Sequence, residues 1–327
     1  MYLHYDQLSA LVAVVREGSF DRAARVLHLT PSAVSQRIKQ LEENVGAIVV
    51  VRGTPCSATG VGETLYRHAQ QVELLERDLI GAVTPVRAAT PARPSAPLTI
   101  AANADSLATW LIPALARLAD QSELRVEVVL DDQDHTAEWL RSGRVLGAVT
   151  AEARPVAGCR AQALGVMRYR ATASPAFVRR WFPAGATADA LRAAPVVMYN
   201  RKDELQERFV RRVLRGRPGS LRPHFVPSPH AFVDATLLGV GWGMNPELLA
   251  NEHLKAKKLV DLASGRWLDV PLYWQQWSLA SPSLESLASA MTAQAAVSLR
   301  PPVTGTSSRL GPVTRQHDPP KRGAPSG

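Results

Sequence analysis

Only two cysteines, Cys56 and Cys159, occur in the 327 residues, and they lie far apart with no C-x-x-C pair. Neither a disulfide framework nor a zinc site is therefore expected. No stretch approaches the roughly 20 uninterrupted apolar residues that a membrane span needs. The opening MYLHYDQLSALVAVVREGSF has no basic leader, and Asp6, Gln7, Arg16 and Glu17 interrupt its apolar residues. A secretory signal is not expected, and the chain reads as cytoplasmic. G-x-S-x-G, P-loop and H-E-x-x-H patterns are missing too, as are clustered His and Cys ligands. The chain thus reads as a non-enzyme that needs no cofactor or metal.

Hydrophobic residues make up 46% and charged residues 20%, ordinary values for a soluble protein with real cores. The length is that of two or three domains. A net charge of +9 invites a polyanion partner, but its distribution weakens the inference. Residues 1–82 hold eight basic against nine acidic side chains, and the excess lies beyond them. Part of it falls in the tail from Arg300, which has five basic residues and one acidic.

Local pattern is more informative than the sum. Leu8 to Arg16 reads as a helix stopped by Gly18, and Ser19 caps a second helix, Phe20 to Leu27, that carries the small Ala23 and Ala24. Thr30 then caps a third helix with Pro31 at its first position, ending near Val45 before Gly46. In that helix Val34, Ile38 and Leu41 form an apolar stripe. Ser32, Ser35, Gln36 and Lys39 lie opposite, with Arg37 at the flank. Two short helices joined by a tight turn form a helix-turn-helix, whose second helix enters the DNA major groove. Serine and glutamine suit base edges or phosphates, and Lys39 and Arg37 suit phosphate oxygens. The bland alternative is the solvated face of a small helical bundle. IVVVRGTPCSATGVG reads next as a strand, a turn and a return, a wing whose Arg52 suits the backbone or a narrow minor groove. Cys56 in this wing is a candidate redox switch, but a lone exposed thiol is more often incidental and no neighbouring feature in the sequence activates it.

From Thr59 to Ala82 the positions Val61, Leu65, His68, Val72, Leu75 and Leu79 fit a single a/d seam on a helix of roughly 36 Å, suited to pairing two chains. TPVRAATPARPSAP (84–97) carries four prolines and reads as an extended hinge. From Leu98 strands and helices alternate as in a parallel α/β sheet. Predicted strands include LTIAA, RVEVVL, VLGAV, Leu164–Ala173, VVMY, HFVP, GVGWGM and PLYWQQW, and a helix over Leu284–Leu299 closes the region. Beyond Arg300 the composition is that of a disordered tail.

The expected class is α/β overall, with an all-α winged helix-turn-helix in front of a two-lobed region. Boundaries follow at 1–58 (head), 59–83 (pairing helix), 84–97 (hinge), 98–299 (effector region) and 300–327 (tail). The first lobe is expected over about 98–168 and 272–299, the second over about 169–271. A cleft between α/β lobes takes ligands where strands end and helices begin. Asn103, Asp105 and Ser106 follow the strand LTIAA, where free N–H groups suit a carboxylate. Asp105 and Asp132 suit an ammonium or guanidinium, and Thr150, Asn200, Ser228 and His230 also follow strands. Each could equally be an N-cap or turn residue. Trp110 reads as core.

This order of elements resembles the LysR-type transcriptional regulators. FDRAARVLHLTPSAVSQRIKQLEENVGAIVVVR is similar to that family's signature throughout its length. QQVELLE, NADSLATWLIPAL, GAVTAE and APVVMYN resemble its lysine- and arginine-responsive subgroup, which controls basic amino-acid export. HFVPSPHAF departs from the subgroup, with His230 where an acidic residue is expected. The resemblance implies a homodimer or tetramer, double-stranded DNA as partner, RNA polymerase as a candidate partner, and a lysine, arginine or histidine effector. It places Pro31, Ser32, Ser35, Gln36 and the wing Arg52 against DNA. The readings left open are a solute-binding or enzymatic use of the two-lobed fold, and an architectural DNA binder without effector.

Overall fold

A computed structural model describes residues 3–83, 96–130, 136–214 and 220–301. The head starts with α1 (Tyr5–Glu17), α2 (Phe20–Leu27) and α3 (Pro31–Val45). Ser19 and Thr30 cap α2 and α3 as their residue types predict, each accepting a backbone N–H three residues on. The wing is short, β1 (Val50–Val51) and β2 (Ser57–Ala58), paired antiparallel. Its first strand is clamped to α3 by Glu42, whose carboxylate accepts the Val49 N–H at 3.0 Å. Cys56 is buried rather than exposed, because Cys56 N–H donates to the Gly18 carbonyl and draws the wing onto the end of α1. Leu11, Val14, Ala23, Ala24, Val34, Ile38 and Leu41 form the head's core.

Helix α4 (Gly60–Val83) leaves the wing, and its apolar residues do not form one seam. Gly62, Leu65, Tyr66 and Ala69 are buried at helical spacing against the head. Leu74 instead enters the core of the C-terminal region. Val61, Leu75 and Leu79 remain exposed, as does His68, and Val72 borders a groove shared with α1 and α2. The expected pairing stripe is thus corrected at Leu65. The head needs one face of the first half of α4 to close its own core, which leaves the second half for other contacts.

The C-terminal region continues with β3 (Leu98–Ala102), α5 (Ala104–Ser106), a π turn (Leu107–Leu111) and α6 (Ile112–Gln121). Next come β4 (Val126–Leu130), α7 (Thr136–Ser142), β5 (Gly147–Thr150) and the long β6 (Cys159–Ala173). Helices α8 (Pro175–Trp181) and α9 (Ala188–Ala193), β7 (Pro195–Met198), α10 (Leu205–Leu214), β8 (Arg222–Phe225) and α11 (Pro229–Leu237) follow. The last elements are β9 (Gly243–Pro246), α12 (Glu247–Lys255), β10 (Val260–Asp261), β11 (Leu268–Trp277) and α13 (Pro282–Ser298). Of the predicted strands, GVGWGM shifts furthest, because Trp242 makes only an isolated bridge to Val196 while its buried ring packs on Phe209. Trp110 is core, as its apolar surroundings required.

The sheet is mixed rather than parallel. Strands β3, β4 and β5 pair in parallel, but β6 and β11 run antiparallel to each other along their whole common length. At one end of this ladder β11 (Tyr273–Gln276) pairs with β5, and at the other β6 (Tyr169–Ala173) pairs with β9 and β10. The register slips between Leu272 and Tyr273, beside Gly165 at φ +141°. That φ lies where an L side chain is strained, so the break marks the passage between lobes.

The junction of head and α4 allows no extra atom at Gly62, where an added Cβ would fall 2.0 Å from the Val49 carbonyl oxygen. Gly62→Ala is expected to destabilise the head by about 1–3 kcal/mol. A thermal unfolding scan should show an early transition that the unsubstituted chain lacks.

Candidate nucleic-acid interface and ligand cleft

On α3 the buried side is Val34, Ile38 and Leu41, which packs on α1 and α2. Pro31, Ser32, Gln36 and Lys39 are exposed, and Ser35 is half-buried on the same side. Ser32 Oγ lies 3.0 Å from Thr30 Oγ1, and Lys39 forms only a loose pair with Glu43 at 3.7 Å, so both can reach outward. Arg37 differs from expectation: its guanidinium donates to Asp6 on α1 at 3.2 Å and staples the two helices. Arg52 on the wing is exposed, with its guanidinium 4.9 Å from the Phe20 ring centroid. This cation–π contact aims the arginine beside the start of α2.

Between the lobes lies a cavity of about 330 Å³. Asn103, Ala104 and Asp105 line it from one side, and Tyr199, Asn200, Lys202, Asp203, Glu204 and Arg208 from the other. Tyr169, Met244 and Val270 form its floor on the crossing strands and β9. Tyr169 O–H donates to Asp105 Oδ2 at 2.6 Å across the inner wall. Burial raises the Asp105 carboxyl, the Tyr169 hydrogen bond opposes it and the Asp203 charge adds to it, with a net position of about 6. Burial also drives the Tyr169 phenol well above its ordinary value, helped by the charge of Asp105. Asp203 Oδ2 accepts Tyr199 N–H at 2.9 Å and Oδ1 accepts Leu205 N–H at 3.0 Å, which fixes that carboxylate at the start of α10. The cleft therefore holds two mutually repelling carboxylates, with cationic side chains nearby.

Of the residues predicted for the cleft, the structure brings Asn103, Asp105 and Asn200 to its wall. Four predicted side chains do not line it. Ser106 is fully buried behind the wall. Thr150 Oγ1 is engaged by Glu152 N–H at 3.1 Å, a turn. Ser228 caps α11 through Ala231 N–H at 3.4 Å, and its neighbour Pro229 lines the cavity instead. His230 is exposed on the first turn of α11. Asp132 lies outside the described residues. Sequence reasoning missed Tyr169, Tyr199, Lys202, Asp203, Glu204 and Arg208. The run of charge in NRKDE after VVMY was the available signal for three of them; Tyr169 looked like an ordinary strand residue.

A winged helix-turn-helix joined by a long helix to a two-lobed, ligand-sized cleft defines a class of regulator that couples a small molecule to DNA. Residues 5–63 match the bacterial regulatory helix-turn-helix protein model of the lysR family, and residues 91–296 match the LysR substrate binding domain. The chain belongs to the LysR family of DNA-binding transcriptional regulators. It is similar to the HTH-type transcriptional regulator ArgP of Pseudomonas fluorescens (strain Pf0-1), 45% identical over 274 residues that cover 84% of this chain and 90% of the relative. It also resembles the crystal structure of ArgP from Mycobacterium tuberculosis, with 44% identity and a TM-score of 0.78 over 92% of this chain and 100% of the other. Full-length LysG from Corynebacterium glutamicum with bound effector Arg is 38% identical, with a TM-score of 0.70 over 91% of this chain and 100% of that one. Among the described residues no helix is long and apolar enough to cross a membrane.

The raised carboxyl sets a pH signature. The native chain holds the Asp105 proton more tightly than the unfolded chain, so this group's contribution to stability is full below about pH 4 and is lost as pH rises through about 6. Asp105→Asn is expected to flatten that part of the curve, measured by urea unfolding at a series of pH values.

Proposed function

We propose that this regulator senses a basic amino acid in the interlobe cleft, and that its paired heads read DNA through α3 and the wing. The observation that carries the effector assignment is the facing pair Asp105 and Asp203, whose repulsion is relieved by a cation placed between them. The ammonium or guanidinium end of lysine, arginine or histidine supplies that cation. Its α-carboxylate is suited to the helix start at Ala104 and to Lys202 or Arg208 on the same wall. The Arg-bound relative supports the same chemistry. Genes of amino-acid export or transport are the targets this reading favours, in the cytoplasm where the DNA lies.

Residues 1–58 act as the DNA-binding head, 59–83 as the pairing helix and 98–299 as the effector region in this reading. Ser32, Ser35, Gln36 and Lys39 face the groove from α3, and Arg52 adds a wing contact. A homodimer is supported by the exposed apolar end of α4, where Leu75 and Leu79 are joined by Ile80 and Val83. Two copies place two heads on two half-sites.

Two measurements test the reading. Footprinting on DNA beside the regulator's own gene should show protection that each basic amino acid alters, and Ser35→Ala or Gln36→Ala should weaken it without changing the oligomer. Protection insensitive to all three amino acids removes the effector assignment. Calorimetric titration with arginine should show affinity falling as pH drops below about 6, because the cation competes with the Asp105 proton. Affinity independent of pH from 5 to 7 (roughly one unit either side of that value) removes Asp105 from the contact.

A further inference from the structure

Helix α13 is fastened at both ends to parts of the molecule that differ in role. At its start, the Ser281 and Ser283 hydroxyls both donate to the Asp78 carboxylate of α4, the first at 2.5 Å. Ser281 also caps the helix by accepting Leu284 N–H, so an anion from the linker sits at the positive end of a 17-residue helix. At its other end, the chain crosses to the second lobe. Arg300 exchanges both backbone hydrogen bonds with Val166, just past the break at Gly165, where an added Cβ would fall 2.7 Å from the Arg300 carbonyl oxygen. The Arg300 guanidinium donates to Glu247 Oε2 at 2.7 and 2.9 Å, while Arg170 takes the Oε1 of the same carboxylate. Between these ends Leu284, Leu287, Met291 and Ala295 are buried in the first lobe's core.

We infer that α13 is a strut, about 26 Å long, through which movement of the second lobe about Gly165 is passed to α4 and so to the head. A rod packed along its length transmits displacement because its side chains have few alternative packings. The end contacts are polar and geometrically specific, so a shift at Glu247 is felt at Asp78. The relay is a regulatory property of the cleft proposed above and rests on that reading for its natural trigger, though not for its mechanics. It differs from simple rigid attachment of α4 to the first lobe, which Leu74, the Arg67 guanidinium on the Arg141 carbonyl and the Arg77 guanidinium on the Ala96 carbonyl provide.

Backbone hydrogen exchange over residues 72–83 of the full-length dimer, with and without saturating arginine, tests it. Asp78→Ala and Ser283→Ala break the linker end, and Arg300→Met breaks the hinge end; all three residues lie outside the cleft lining. In the unsubstituted protein arginine should change exchange in this segment. Each variant should bind arginine by calorimetry with about unchanged affinity, yet lose at least about fivefold of that response, the low end of ordinary allosteric coupling. Variants that respond like the parent overturn the strut. If the parent gives no heat with arginine, lysine or histidine, the effector reading fails separately. Arg300→Met without any amino acid then decides: altered exchange at 72–83 supports the relay, and unaltered exchange overturns it.

Discussion

The antiparallel pairing of β6 with β11 is the constraint on which the two-lobed region depends. These strands alone among the described ones run through both lobes, so every difference in lobe orientation must be absorbed within their ladder. Hydrogen bonds on either side of the Leu272/Tyr273 slip hold each half flat against its own lobe. The slip itself, next to Gly165, leaves a short stretch that is free of regular pairing. Tyr169 stands on this ladder with its hydroxyl on Asp105, so the ligand wall and the hinge are parts of one structure.

Helix α4 shows how one amphipathic segment serves several surfaces. Its first turns complete the head, its middle enters the first lobe through Leu74, and Asp78 engages the serines at the start of α13. What remains exposed at its end is a short apolar strip. A seam shared so widely cannot act as an independent coiled coil. Pairing of two chains through this strip, as proposed above, would therefore carry information about the effector region to which the same helix is bound.

Electrostatics are arranged against the simplest expectation from net charge. The head is nearly neutral, and the face of α3 proposed to meet DNA carries serine, glutamine and a few placed cations. Specific recognition by hydrogen-bonding side chains needs no large positive field. The cleft in the otherwise basic C-terminal region instead concentrates carboxylates, and burial makes that concentration costly until a cation arrives. The cost falls on Asp105, whose carboxyl is raised chiefly by burial and accepts the Tyr169 hydroxyl, whereas Asp203 accepts two backbone N–H groups.

Elements whose signals are local were legible in the chain itself. Caps at Ser19 and Thr30, the stripe Val34–Ile38–Leu41 and the small alanines of α2 define the head, because capping and helical periodicity act within a few residues. Asn103, Asp105 and Asn200 were readable as cleft residues because strand ends place side chains at the sheet's rim. Tertiary packing decided the rest. Leu65 was claimed by the head rather than a partner, and Thr150 and Ser228 were taken by their own turn and cap. Tyr169 and Asp203 met Asp105 only when distant segments were folded together. A periodicity tells which face of a helix is apolar, but several neighbours can cover that face, and only the packed chain chooses among them.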